Sequence, residues 1–233
     1  MASTLKQRLS EGHSVLMVNT NHVSSTLAEK LTRSGADAIF IDCEHGAADF
    51  QQLQLMAKGA QLGGGYTIVR PQNQERSVIT RVLNCGADGV MVPLVHTAEQ
   101  ARTVVATVRY AMPDTYADKL VIVMVESTEA IACLDDILAV EGVDVVFVGP
   151  GDLSQSMGYS PNVPAGGKRP EPVRKLVKET LGRIRAAGRF AGTLVVADDV
   201  AECVADGAQL LYYHADPFIV TGVATMRERS MPK

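Results

Sequence analysis

Short apolar runs recur along this chain, and a glycine introduces most of them. The segments 34–37, 85–88, 141–144 and 206–209 each carry Gly in second position. Each follows a helical pattern of apolar positions and precedes a short run of β-prone residues. A glycine there is expected in the left-handed conformation that ends a helix. The pattern therefore predicts repeated helix-to-strand junctions with short αβ loops.

Between these junctions the sequence pattern predicts alternating strands and helices. The strand candidates are short and mostly apolar, as expected for strands buried on both faces. They are 15–19, 38–42, 66–70, 89–92, 121–126, 144–149, 190–193 and 210–213. The amphipathic helical segments are 24–33, 49–60, 75–84, 97–109, 128–139, 171–187, 197–205 and about 216–229. Ser24, Asp49 and Thr97 are typical helix N-caps.

Strict βα alternation predicts a parallel sheet of the α/β class. Eight such units within 233 residues favour a closed (β/α)8 TIM barrel, formed as a single domain over 1–233. Periodicity alone leaves an open sheet as the alternative. The Pro- and Gly-rich stretch 158–170 is interpreted as a surface loop.

Composition narrows the class of partner. Net charge is −4, apolar residues make up 46% and charged residues 21%, and the basic residues are dispersed. Neither nucleic acid nor a membrane is expected as a partner. The N-terminus lacks the apolar stretch of a signal peptide, and the four cysteines are scattered. Reduced thiols and a cytoplasmic location are expected, and a cysteine metal site is not.

Ionisable residues follow several of the predicted strands. In a barrel of this kind the working residues lie at the carboxyl ends of the strands. Charges placed directly after apolar runs must lie near the barrel mouth, because burying them elsewhere is costly. The residues at these strand ends are Asp42, Glu44, His45, Arg70, Glu126 and Asp152.

Glu126 and Asp152 follow neighbouring predicted strands and should share one rim. Two carboxylates held together repel unless a proton or a cation separates them. With oxygen ligands, a hard divalent ion such as Mg²⁺ or Mn²⁺, or alternatively Co²⁺, is the expected partner. The alternative is that each carboxylate pairs with a basic residue or, for Asp152, caps the turn that follows.

Three further residues carry candidate chemistry. Arg70 has a guanidinium that matches a carboxylate or an enolate oxygen, although an ion pair with Asp42 or Glu44 is the simpler alternative. His45 is a candidate base near neutral pH, although a lone histidine is more often an ordinary polar residue. Gly151 lets backbone N–H groups approach a ligand closely, which by itself is a weak signal.

Together these segments resemble the HpcH/HpaI family of class II pyruvate aldolases, which is related to citrate-lyase-type enzymes. The matching stretches span most of 38–160. They are FIDCEHGAADF (40–50), IVRPQNQE (68–75), GADGVMVPLVHTAEQA (86–101), VMVESTEAI (123–131) and VEGVDVVFVGPGDLSQSMGY (140–159).

The resemblance implies a metal-dependent carbon–carbon lyase that forms or cleaves a 4-hydroxy-2-oxo acid through a pyruvate enolate. It implies that Glu126 and Asp152 ligate the divalent metal, and that the amides of Gly151 and Asp152 hold the carboxylate of the 2-oxo acid. Arg70 would steady the enolate oxygen. His45, with Asp42 nearby, would manage protons through a water on the metal. An aldehyde is the second substrate, and a homo-oligomer (a hexamer or a trimer) is the expected assembly.

The sequence also departs from the family pattern. The segment 110–120 is a short connector where relatives carry a longer excursion with a Gly-x-Arg-Gly motif. Asn84 stands where relatives often have an Asp. Asn19 and the bulky residues Tyr212, Tyr213 and His214 lie near strand ends where relatives have small ones, and Tyr213 and His214 are expected to narrow the space beyond the enolate. These changes concern the aldehyde partner and proton transfer more than the site for the metal and the 2-oxo acid.

Three other functions remain open from the sequence. An oxaloacetate decarboxylase would use the same enolate, and the sequence does not separate it from an aldolase. A lyase acting on a CoA thioester would use the same site but needs an adenosine-binding surface, for which no motif is present. A barrel that binds a 2-oxo acid without turnover is the alternative outside the enzymes.

Overall fold

Eight parallel strands pair in chain order, and the last pairs with the first to close a barrel. The computed structural model describes residues 3–163 and 167–231. The predicted (β/α)8 barrel is confirmed. The strands are β1 (Val15–Asn19), β2 (Ala38–Asp42), β3 (Tyr66–Arg70), β4 (Gly89–Val92), β5 (Leu120–Val125), β6 (Val145–Val148), β7 (Phe190–Leu194) and β8 (Ala208–His214).

Helices connect the strands and cover the outside of the barrel. They are α1 (Leu5–Ser10), α2 (Ser25–Arg33), α3 (Phe50–Leu62), α4 (Arg76–Asn84), α5 (Ala98–Ala111), α6 (Thr128–Ala132), α7 (Leu134–Leu138), α8 (Pro150–Ser156), α9 (Glu171–Ala186), α10 (Val200–Ala205) and α11 (Asp216–Arg229). The predicted N-caps are confirmed, because Ser24, Asp49 and Thr97 each accept a hydrogen bond from a backbone N–H of the helix that follows. In the part of the chain that the structure describes, no helix has the length and apolar character needed to cross a bilayer.

Alternation along the strands separates two cores. Met17, Phe40, Ile68, Ile122 and Phe147 face inward and fill the barrel. Intervening residues such as those at 39, 41, 121 and 146 face outward and pack with the helices. Because side chains alternate with a period of two, the next inward positions after the filled layers lie at the carboxyl ends of the strands. Asp42, Arg70 and Glu126 occupy these positions, and the other candidate site residues lie in the loop or helix that follows a strand.

The recurring glycines end helices in the expected conformation, with φ of +113° at Gly35 and +102° at Gly86. The aspartates two residues later have a further role. Their carboxylates accept hydrogen bonds from backbone N–H groups of the preceding strand, at 2.8 or 2.9 Å. These bonds run to Asp37 from Leu16, to Asp88 from Thr67 and to Asp144 from Val121. These three junction motifs therefore also fix the start of a neighbouring strand, whereas the fourth has Gln209 in place of the aspartate.

One end of the barrel is closed by α1, a helix that the sequence pattern did not predict. Leu5 and Leu9 are buried against the inner core, and Lys6 forms an ion pair with Asp144 at 3.0 Å. The connector 110–120 lies at this same end, because it joins the end of α5 to the start of β5, and it contains one 3₁₀ turn, Tyr116–Asp118. The opposite end, where the strands terminate, is the open mouth.

Candidate active site

A cavity of about 750 Å³ occupies the barrel mouth. The structure brings every residue predicted for the site to its wall. These residues are Asp42, His45, Arg70, Glu126, Gly151 and Asp152. They lie at four strand ends or in the loop or helix that directly follows, and all of these segments meet at the same mouth of the barrel.

Arg70 is held in a fixed orientation by two carboxylates. Asp42 and Arg70 are directly paired in the β2–β3 register. Nε of Arg70 donates to Oδ1 of Asp42 at 2.9 Å and Nη2 to Oδ2 at 2.5 Å, while Nη1 lies 2.9 Å from Oε2 of Glu44. The ion pairs that the sequence offered as the simpler alternative are thus present. They also place a planar guanidinium at the cavity wall, where it can face a ligand.

The neighbours of Asp42 in this cluster lower its pKa. Burial acts to raise the pKa of Asp42, but the hydrogen bond and charge of Arg70 and two backbone N–H groups together hold it below its ordinary value. Those N–H groups belong to Glu44 and His45, and they donate to Oδ1 at 3.0 and 3.2 Å. Asp42 is therefore an ionised anchor for both Arg70 and the loop after β2.

His45 lies on that loop and is largely exposed, with 68% of its side chain accessible. Its Nε2 is 3.9 Å from Oε2 of Glu44. Gly46 lets the loop turn back tightly, since a β-carbon there would overlap the carbonyl oxygen of Asp42. The tight turn keeps His45 at the mouth of the cavity without fixing its ring.

Glu126 is the buried carboxylate of the site, with 2% exposure. Its Oε1 accepts a hydrogen bond from the N–H of Leu94 at 2.8 Å. Leu94 has a φ of +55°, an unusual backbone conformation for a leucine that aims this N–H at the carboxylate. Among the described residues, Oε2 of Glu126 has no hydrogen-bond partner. Burial, opposed by the Leu94 N–H and reinforced by the charge of Asp152, raises the pKa of Glu126 to about 7.

Asp152 lies in the first turn of α8, which begins directly after β6. The N-cap of this helix is Gly149, and no side chain forms a capping hydrogen bond there. The alternative prediction that Asp152 caps the turn is therefore wrong, because the helix begins earlier than expected. The negative charge of the Asp152 carboxylate instead helps to raise the pKa of Glu126 and of Glu44.

These two carboxylates fit a hard divalent ion. An unpartnered oxygen in a buried carboxylate, beside a second carboxylate, is the arrangement that a cation stabilises. Within residues 3–163 and 167–231, no group of three or more His, Cys, Asp or Glu side chains forms a complete metal cage. Two protein ligands, with water and substrate oxygens completing the shell, are typical of Mg²⁺ and related ions at catalytic sites.

Several cavity residues were missed or undervalued from the sequence. Tyr212 and His214 were noted only for their bulk, yet their position two residues apart on β8 places both on the inner face. The expectation that Tyr213 narrows the same space is wrong, because this intervening residue faces outward and packs on Phe218. Arg169 belongs to the predicted surface loop 158–170, of which 164–166 lie outside the described residues. Its Nη1 donates to Oγ of Ser154 at 3.1 Å and to the carbonyl of Pro161 at 3.0 Å. No local pattern distinguished Arg169 from an exposed basic residue.

Comparison with known proteins decides the family. The sequence pattern of the HpcH/HpaI aldolase/citrate lyase family matches residues 14–217. This chain belongs to that family. A 2-keto-3-deoxy-L-rhamnonate aldolase of Escherichia coli O17:K52:H18 is 35% identical over 97% of this chain and 89% of its own length. The protein of the same name from Escherichia coli K12 is 34% identical over the same shares.

Solved structures agree with this fold. The citrate synthase SbnG superposes with a TM-score of 0.87 at 28% identity, over 97% of both chains. An HpcH/HpaI aldolase from Desulfitobacterium hafniense DCB-2 gives 0.85 at 25% identity, over 99% of this chain and 98% of that one. The resemblance seen in the sequence is confirmed, and so is the prediction of an aldolase-type carbon–carbon lyase.

Proposed function

We propose that this member of the HpcH/HpaI family uses a divalent metal to form or cleave a 4-hydroxy-2-oxo acid through the enolate of pyruvate or a related 2-oxo acid. One observation supports it above the others: a buried carboxylate, Glu126, has an oxygen beside Asp152 that finds no partner among the residues the structure describes. The rhamnonate-derived substrate named for the two Escherichia coli relatives is a hydroxylated 2-oxo acid, which supports the same substrate class.

Glu126 and Asp152 would hold the metal, with Mg²⁺ or Mn²⁺ as the first choice and Co²⁺ as the alternative. When bound, such an ion supplies Lewis-acid stabilisation of negative charge on the substrate oxygens. The backbone N–H groups of Gly151 and Asp152, in the first turn of α8, are available to the carboxylate of the 2-oxo acid.

Arg70 supplies the second source of charge stabilisation. Asp42 and Glu44 fix its guanidinium before substrate arrives, so no reorganisation is needed when the enolate charge develops. His45 is exposed at the mouth and free to exchange protons with solvent and substrate, and Asp42 holds its backbone. The chain therefore orients the 2-oxo acid with fixed groups and leaves proton transfer to an exposed histidine.

Calorimetric titration of Mn²⁺ into metal-free protein tests the metal site. Glu126→Gln and Asp152→Asn should each weaken Mn²⁺ binding by tenfold or more, on the order of 1.4 kcal/mol. Glu99→Gln, at an exposed position on α5, is the matched control and should leave the affinity unchanged. Unchanged affinity in both site variants would refute the assignment of the ligands.

The reaction is tested with the same protein. Pyruvate with a panel of aldehydes, and oxaloacetate alone, should be assayed with and without Mn²⁺ or Mg²⁺. Metal-dependent aldol addition supports the proposal. If oxaloacetate is turned over but no aldol addition occurs, the protein is a decarboxylase and not an aldolase. Binding of oxalate without turnover of any compound would indicate a non-catalytic barrel.

A further inference from the structure

Two side chains on the inner face of β8 have no role in the reaction as proposed. Tyr212 and His214 both line the cavity, and their rings are 4.9 Å apart. The partner strand β1 ends opposite them, with Asn19 paired to His214 in the register. The loop after β1 then brings Asn21 to the same wall. These four residues are called the β1–β8 wall.

Asn21 fixes the tautomer of His214. Oδ1 of Asn21 accepts hydrogen bonds from the backbone N–H groups of Ala215 at 3.0 Å and Asp216 at 3.4 Å, so the oxygen of this amide is identified by its donors. Its Nδ2, 2.9 Å from Nδ1 of His214, must therefore donate. Nδ1 of His214 is then an acceptor, and a neutral ring carries its proton on Nε2.

The side-chain amide of Asn19 orients the hydroxyl of Tyr212 in a similar way. Oδ1 of Asn19 accepts from the N–H of Asn21 at 2.9 Å, so Nδ2 is the donor in the 2.8 Å contact with Oη of Tyr212. The Tyr212 hydroxyl is an acceptor in that contact and keeps its own proton to donate. Within the described part of the chain, no acceptor for this proton lies within hydrogen-bond distance, and Nε2 of His214 has no partner either.

Both donors are neutral at physiological pH. Burial raises the pKa of Tyr212 to about 12 and lowers that of His214, even though the carboxylates of Asp216 and Asp42 oppose the shift at His214. A lone pair on Nδ1, required by Asn21, also disfavours the protonated ring. Neutral donors match alcohol and carbonyl oxygens, whereas an anionic group is better matched by the charged guanidinium of Arg70.

We propose that Tyr212 Oη–H and His214 Nε2–H bind a hydroxyl oxygen of the aldehyde substrate, so that the β1–β8 wall selects hydroxylated aldehydes. This inference rests on the proposed function. Of the proposed metal ligands, Glu126 follows β5 and Asp152 lies in α8, after β6. In the closed order of eight strands, β1 lies opposite β5, and β8 lies beside β1. The 2-oxo acid would occupy the metal side, which leaves the β1–β8 wall to the second substrate.

The test measures the Mn²⁺-dependent aldol addition of pyruvate to two aldehydes that differ by one hydroxyl, glycolaldehyde and acetaldehyde. Tyr212→Phe and His214→Phe keep the rings but remove one donor each. Each should lower the ratio of kcat/KM for glycolaldehyde over acetaldehyde by about threefold to tenfold, the effect of one neutral hydrogen bond. Tyr213→Phe is the matched control, because Tyr213 packs outward on Phe218, and it should leave the ratio unchanged.

Oxalate binding with Mn²⁺, measured by calorimetry, separates this inference from the proposed function. Normal oxalate binding with an unchanged aldehyde ratio in both Phe variants overturns the inference alone. Failure of the unmodified protein to bind oxalate overturns both the inference and the proposed function. Should a Phe variant fail to fold, ¹⁵N NMR of His214 in the unmodified protein decides: an Nε2–H tautomer whose Nε2 signal shifts with glycolaldehyde supports the inference, and an Nδ1–H tautomer refutes it.

Discussion

The α-carbon of Gly149 lies directly against the carboxylate of Glu126. A β-carbon at position 149 would be 2.6 Å from Oε2 and 2.9 Å from Cβ of Glu126. The backbone of Gly149 is in the extended region, which any residue adopts, so a requirement for glycine here comes from the approach of Glu126 alone. Among the described residues, the unpartnered oxygen of the proposed metal site is therefore positioned by the absence of a side chain at position 149, directly after β6.

Gly149→Ala should displace the Glu126 carboxylate and weaken Mn²⁺ binding. We expect a loss of about 10- to 100-fold, the range for residues that position a metal ligand. Gly182→Ala is the control, because a β-carbon at that position on α9 meets no atom within 4 Å. Calorimetry on both variants, with thermal unfolding to confirm the fold, makes the comparison. Equal affinity in the two variants would show that Oε2 does not contact the metal.

The stability of the metal-free protein should depend on the titration of Glu126. Its pKa is about 7 in the folded protein, against an ordinary value of 4.5, so the folded state holds this proton more tightly than the unfolded state. The stabilisation is complete below about 4.5 and is lost as the pH rises through about 7. Between about pH 5 and pH 8 the loss should be on the order of 2 to 3 kcal/mol.

Urea unfolding in EDTA isolates this contribution when Glu126→Gln is measured in parallel. The variant keeps an oxygen for the Leu94 N–H but does not titrate, so the stability difference between the two proteins should change across this pH range. Adding Mn²⁺ should reverse the trend for the unmodified protein, because the metal binds the carboxylate form. A difference that stays constant with pH would contradict the buried, protonated state of Glu126.

Arg70→Lys should be a severe change although the charge is kept. Lysine cannot reproduce the fork that contacts both oxygens of Asp42 and also Glu44. Loss of a fixed donor to the developing enolate should slow pyruvate proton exchange on the order of 10²–10³-fold. Arg33→Lys, at an exposed pair with Glu29 on α2, is the control. Exchange within threefold of the unmodified protein would remove Arg70 from the mechanism.

Much of the barrel could be predicted from local pattern. The first four strands were placed residue for residue, because buried parallel strands are short apolar runs and the glycine junctions bound them. The misses depended on tertiary contacts. The short α1 is stabilised by burial of Leu5 and Leu9, which no periodic pattern reveals over six residues. The helix predicted over 128–139 is two helices that meet at Cys133.

The candidate site was predictable in part for the same reason. Glu126 and Asp152 could be placed at one rim because parallel strands end together. The hydrogen bond from Leu94 to Glu126 could not be anticipated, since it depends on a positive φ at a leucine. The roles of Asn19 and Asn21 depend on β1 closing against β8, a pairing of residues separated by 193 or more positions. Local sequence carries no signal for such a pairing.

The last prediction concerns assembly and rests on α11. No residue of this helix is buried. Phe218, Val220, Val223 and Met226 are each more than half exposed, although they are apolar. Burying such a surface against a second copy of the chain would remove a large apolar area from water. We therefore expect α11 to contact a neighbouring subunit in a homo-oligomer, for which the family resemblance implies a hexamer or a trimer.

Light scattering at micromolar concentration should give a mass well above the 24.9 kDa of one chain. Val220→Glu combined with Val223→Glu should lower that mass, since two charges on the exposed face of α11 would have to be buried in the interface. Leu62→Glu is the control, because Leu62 is equally exposed at the end of α3 but lies outside the α11 surface. A monomer in the unmodified protein, or equal masses in all three proteins, would mean that α11 is not an interface between subunits. Its apolar residues would then need another partner to explain their exposure.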